Sequence, residues 1–135
     1  MIRELRFRRI TPELLHQKIQ RGEKVAVIDL LGFEGHDGAE LGIPGSVRIS
    51  AARLKNGPLL AVPKDVEIVL YCSSHQQILS ARVALGLKRR GVRAVSVLEG
   101  GLDAWRHLGF ELSNDFGVPE DIAARLGIEF LTKRV

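Results

Sequence analysis

The chain has 135 residues, 45% of them hydrophobic and 27% charged, with a formal net charge of +4. That balance describes one globular domain large enough for a real core, and no internal repeat or low-complexity segment interrupts it. A single cysteine excludes an internal disulfide framework, and no apolar run approaches the ~20 residues that span a bilayer.

The opening residues lack the apolar stretch of a secretory signal. Arg3, Arg6, Arg8 and Arg9 alternate with Leu5 and Phe7, so Leu5–Ile10 reads as a short edge strand. A nucleic-acid arm is the sharper reading of these arginines. Without aromatic interleaving or a binding module after them, a solvated basic surface is the better one, and no nucleic-acid partner is expected. Thr11-Pro12-Glu13 marks a helix start: a capping hydroxyl, a proline at the first helical position and an acid at the positive end. Ile10 and Leu15 stand where a hydrophobic staple would, and the helix should run to about Gln20 before Gly22. His16 reads as a surface or boundary residue.

Val25–Ile28 is the next buried strand, closed by Asp29. A carboxylate there is costly unless paired. It either borders a site or bonds to backbone N–H groups of the following turn. In Leu31–Leu41, His36, Asp37 and Glu40 match no ligand spacing, so no metal site is expected. Gly42–Gly45 is a turn, Val47–Ile49 a short strand, Ala51–Leu54 a helical turn, and Asn56-Gly57-Pro58 a break.

The stretch that carries chemistry runs from Glu67 to Leu102. Glu67–Tyr71 reads as a buried strand, and Cys72 stands at its end. Ser73-Ser74-His75-Gln76-Gln77 is polar, and from Ile78 or Ser80 the chain turns helical until Gly91. Ala94–Leu98 is a further strand. In open α/β sheets ligands bind beyond the carboxyl ends of the strands. A helix N-terminus there offers unpaired N–H groups for an anion and should draw a thiol toward thiolate. The other reading of Cys72 is a buried, inert small hydrophobe. Leu102–Leu108 is a short helix with Trp105 as a core anchor. Pro119 to Leu126 is another, ended by Gly127. Beyond it, Ile128, Phe130 and Leu131 pack on the core or on a partner. The residue pattern as a whole predicts an α/β domain with a parallel sheet.

Three stretches resemble the single-domain rhodaneses, the sulfurtransferase family, over about Arg9 to Glu111. They are Val27–Leu30, Ile43-Pro44-Gly45-Ser46-Val47-Arg48-Ile49, and Val69–Cys72 followed by Ser80-Ala81-Arg82 and Leu98–Trp105. The resemblance implies a rhodanese-like fold, a parallel five-stranded sheet with helices on both faces. It divides the chain into a rhodanese-like domain over residues 1–112 and a C-terminal helical appendage over 113–135.

The resemblance makes Cys72 the catalytic residue, accepting a sulfane sulfur as a persulfide. Ser73, Ser74, His75, Gln76, Gln77 and Ile78 are then the substrate-binding loop. It implies no cofactor. The partners are a small sulfur donor and a thiol, cyanide or partner-protein cysteine as acceptor, in the cytoplasm. Three features depart from the common pattern. Gly42 stands where His usually precedes Ile-Pro-Gly. Leu30 and Leu31 stand where a basic residue often follows Asp29. The loop after Cys72 is about two residues longer, which resembles a branch that includes the C-terminal modules of DedA-type membrane proteins. On that likeness the chain stands in the cytoplasm either by itself or as the cytoplasmic module of a membrane-anchored protein.

Two other classes stand beside this reading. Related cysteine phosphatases share the fold but need Arg six residues after the Cys, where this chain has Ile78. A catalytically silent interaction module would leave Cys72 incidental.

Overall fold

A computed structural model describes residues 7–30, 41–72 and 77–131. The elements follow in the order β1 (Arg8–Ile10), α1 (Pro12–Gln20), β2 (Val25–Asp29), β3 (Val47–Arg48), α2 (Ala51–Asn56), β4 (Leu59–Ala61), β5 (Glu67–Tyr71), α3 (Gln77–Arg89), β6 (Val95–Leu98), α4 (Gly101–His107), α5 (Pro119–Leu126) and β7 (Glu129–Leu131).

Five strands form one parallel sheet in the order β1-β6-β5-β2-β3. The central strands β2 and β5 are covered on both faces, and their near-continuous Val, Ile and Leu runs follow from that. Right-handed crossovers then fix the helix layers. The β1-to-β2 and β5-to-β6 connections run in opposite directions, so α1 and α3 lie on opposite faces. Helix α2 packs beside α3. Helix α4 joins α1 through His16, which stacks on Phe110 at 4.1 Å and meets Trp105 at 5.7 Å. Trp105 is buried and donates to the Glu111 carbonyl.

The local signals of α1 work as read. The Thr11 hydroxyl accepts from Leu14 N–H, Pro12 opens the helix, and Ile10 and Leu15 are both buried. Among the described residues no helix is long and apolar enough to cross a membrane.

Residues 113–131 fold back onto the sheet. Ser113 exchanges two backbone hydrogen bonds of 2.8 Å with Gly42, and Gly117 N–H donates to the Ser46 carbonyl at 2.9 Å. Helix α5 lies against β2 and β3, placing Ala123 and Ile128 in the core. After Gly127, whose φ of 78° is open to glycine, β7 pairs antiparallel with β4. Ile128, Phe130 and Leu131 therefore meet the chain itself: Ile128 is core, and Phe130 packs against it opposite Leu60.

Candidate functional site

Cys72 sits at the carboxyl end of β5, in the middle of the sheet. Its backbone is held from the far side of the sheet. Gly100 and Gly101 adopt φ of 73° and 60°, a turn that only glycine takes without strain. That turn starts α4 and brings Leu102 N–H to the Cys72 carbonyl at 2.9 Å. A methyl group on Gly100 would come within 2.5 Å of Ala104 Cβ, so the turn also needs glycine for room.

The sulfur faces the first turn of α3. Sγ lies 2.8 Å from Ser80 Oγ, and the Ser80 backbone N–H also reaches it. Both residues are buried, each 1% exposed. The sequence placed the thiol at a helix start, and it is there. The expected consequence is reversed, however: burial pushes the Cys72 thiol above its ordinary range. The two Ser80 hydrogen bonds favour the thiolate, while the Asp29 charge opposes it, and burial outweighs the balance.

Asp29 is the second part of the site. It pairs in register with Tyr71, one residue before the cysteine, and is fully buried. Tyr71 Oη donates to Asp29 Oδ2 at 2.7 Å and lies 3.0 Å from Ser46 Oγ, and Ile43 N–H donates to it at 3.1 Å. Burial and the adjacent carboxylate push the Tyr71 phenol far above its usual range. Arg48 Nε stands 3.6 Å from Asp29 Oδ2, with its guanidinium 3.8 Å over the Phe116 ring. Asp29 thus bonds to the Tyr71 side chain beside a cation, rather than only to a turn. Arg48 supplies from β3 the positive charge that Leu30 and Leu31 do not.

Gly42 explains itself here. A Cβ on it would meet Tyr71 Oη at 2.5 Å and both Asp29 Oδ2 and Phe116 Cε1 at 2.8 Å. The space above Asp29 is filled by Tyr71 and Phe116, and no side chain fits at position 42. Sequence reasoning missed Tyr71, Ser46 and Phe116. One signal was readable: a single tyrosine in an apolar strand must find a partner for its hydroxyl.

Of the loop residues, Ser73, Ser74, His75 and Gln76 lie outside the described residues, as do His36, Asp37 and Glu40. The backbone of Gln77 opens α3, earlier than the sequence suggested. Ile78 is in the same first turn, 70% exposed.

No curated protein matches the sequence. Several solved structures resemble the fold. A Rhodopseudomonas palustris protein of unknown function, described as a possible tyrosine phosphatase, is 22% identical, with TM-score 0.65 over 79% of this chain and 85% of that one. The 3-mercaptopyruvate sulfotransferase SseA of Escherichia coli is 21% identical, with TM-score 0.62 over 84% of this chain and 52% of its own. The thiosulfate sulfurtransferase of Pseudomonas aeruginosa is 20% identical, with TM-score 0.65 over 93% of this chain and 26% of its own. The chain thus spans about half of one sulfurtransferase and a quarter of the other. At these identities the likeness is one of fold. The family model of the rhodanese-like domain goes further and matches residues 11–108. That match runs from the cap of α1 to the end of α4 and takes in both the Cys72 strand and the Asp29 strand; the chain belongs to the rhodanese-like family.

Proposed function

We propose that the protein is a sulfurtransferase that carries a sulfane sulfur on Cys72 as a persulfide. The observation that carries this reading is the sulfur's position. The chain's sole cysteine ends the central strand, and its Sγ meets Ser80 Oγ at 2.8 Å in the first turn of α3. Ser80 can donate to a thiolate there, and so can its N–H.

The Cys72 thiolate attacks the outer sulfur of a donor such as thiosulfate. A new S–S bond forms on Cys72, the donor's S–S bond breaks, and sulfite leaves with the electron pair. An acceptor thiolate then attacks the terminal sulfur of the persulfide. Its own S–S bond forms, and Cys72 leaves as thiolate. With no second cysteine in the chain, the acceptor must be an external thiol, cyanide or a partner protein's cysteine. Two half-reactions through a covalent intermediate give double-displacement kinetics.

Phosphatase chemistry fits less well. A thiolate phosphatase needs preorganised positive charge on the phosphoryl oxygens. Here the position six residues after the cysteine carries exposed, uncharged Ile78.

Incubation with a sulfane-sulfur donor and no acceptor should yield a protein heavier by one sulfur atom, discharged by added thiol. Cys72→Ser should show neither event. If no loaded species forms with any of several donors while Cys72 stays reduced, the interaction-module reading replaces this one.

A further inference from the structure

Helix α3 has two faces. Ser80, Val83, Ala84 and Leu87 point into the core. Ile78, Arg82, Leu85 and Arg89 follow a 4-3-4 spacing that puts them on one stripe along the opposite side. Arg82 and Arg89 are exposed, as is Lys55 at the end of neighbouring α2. Between the two helices lies a groove of about 470 Å³ lined by Lys55, Arg82, Leu85, Gly86, Arg89 and Arg90. Arg90 has a structural task, since its guanidinium donates to the Leu54 and Gly57 carbonyls and holds α2 to α3. Lys55, Arg82 and Arg89 form no salt bridge with any carboxylate among the described residues.

Three cations therefore line one groove with no counter-charge from the described part of the chain. The stripe starts on the outer side of the same first turn of α3 whose inner side holds Ser80, the residue whose hydroxyl touches Sγ. At ~1.5 Å per residue, Arg89 lies about 16 Å further along the helix.

We propose that this outer face of α3 docks an acidic protein segment that carries the acceptor cysteine. The inference rests on the sulfur-transfer reading and names the class of acceptor. Opposite charge along the groove would steer and orient the segment. Ile78 would give it an apolar anchor at the thiol end. A nucleic acid is a poorer occupant, because no aromatic ring lines the groove for a base to stack on.

The probes are two labelled peptides, one rich in Glu and one with Gln in its place, each with a single cysteine. Binding is read by anisotropy on the Cys72→Ser chain with the peptide cysteine methylated, so that no chemistry intervenes. Sulfur transfer is read separately on the loaded wild-type chain. The Glu peptide should bind on the order of tenfold more tightly than the Gln peptide at low salt, and the gap should close at high salt. Lys55→Glu, Arg82→Glu and Arg89→Glu together should abolish the preference in binding and in transfer. Discharge to free cysteine should stay unchanged. The milder triple Gln variant, with an unaltered unfolding midpoint, guards against misfolding.

Equal binding of the two peptides, or a preference that survives charge reversal, overturns the proposal. So does tighter groove-dependent binding of single-stranded RNA or anionic vesicles than of the Glu peptide. A binding preference without any loaded Cys72 overturns instead the sulfur-transfer reading, and with it the acceptor role of the segment.

Discussion

Replacing Gly42 by alanine tests the packing over Asp29. Gly42 has no positive φ, so alanine meets no backbone strain there. The cost is steric. The added methyl would sit 2.5 Å from Tyr71 Oη and 2.8 Å from Asp29 Oδ2 and Phe116 Cε1. Gly42 itself cannot retreat easily, because Ser113 holds it by two hydrogen bonds of 2.8 Å. Overpacking of a tight core costs about 1–3 kcal/mol. Displacing Tyr71 Oη weakens its bond to a buried carboxylate, worth about 1.5–3 kcal/mol. Partial relaxation trades one cost against the other, so a loss of roughly 3 kcal/mol is expected. At about 4 °C per kcal/mol, the unfolding midpoint should fall by about 12 °C. Trp105, the sole tryptophan and fully buried, reports the transition by fluorescence. Gly45→Ala is the contrast: φ is 79° and nothing lies within 4 Å, so only the ~1–2 kcal/mol of left-handed strain applies. Tyr71→Phe removes the closest atom. In that background Gly42→Ala should cost at least ~1 kcal/mol less than in the wild type. A Gly42→Ala protein within ~0.5 kcal/mol of wild type, or strict additivity with Tyr71→Phe, would refute the reasoning.

Ser80→Ala removes the hydroxyl 2.8 Å from Sγ, and losing one hydrogen bond of ~1.5 kcal/mol to a charged sulfur should slow alkylation of Cys72 at neutral pH about tenfold. Equal rates in stopped assays would take Ser80 out of the site. Because burial raises the Cys72 pKa, the proton is held at neutral pH and released only as the solution turns alkaline. Iodoacetamide labelling should therefore climb about tenfold per pH unit from neutral upward; a plateau below pH ~7 would contradict the burial argument. Phe116→Ala strips the ring that lies 3.8 Å from the Arg48 guanidinium and should lower the urea midpoint by the equivalent of about 1–2 kcal/mol. An unchanged midpoint would show that Phe116 covers the pair without stabilising it.

What the sequence disclosed was what local chemistry decides. The start of α1 could be read from Thr11 and Pro12 because a cap and a fixed φ act within one turn. The stop after α5 could be read from Gly127 for the same reason. The buried strands β2 and β5 were plain from their apolar runs, and the thiol at the end of β5 followed from where that run stops. β4 and β7 were invisible: each has three residues, and their pairing joins Leu59 to Leu131 across about half of the chain. The acidity of Cys72 was read with the wrong sign. A helix start is visible in sequence, whereas the desolvation that outweighs it depends on strands and helices packed from elsewhere. Gly42 read as a missing histidine. Its reason lies in Phe116, which only the return of residues 113–117 onto the sheet brings near.

The same return ties the charge balance of the site to residues far from the cysteine. At 3.6 Å, Arg48 and Asp29 attract by about 4–5 kcal/mol at an effective dielectric of ~20. Taking both out of water costs several kcal/mol per ion, so the pair contributes little net stability. Its contribution is placement. Asp29 closes β2, Arg48 closes β3, and Phe116 caps the guanidinium from the C-terminal segment, so three stretches of chain meet at one carboxylate. That carboxylate is among the causes that keep the Cys72 thiol protonated.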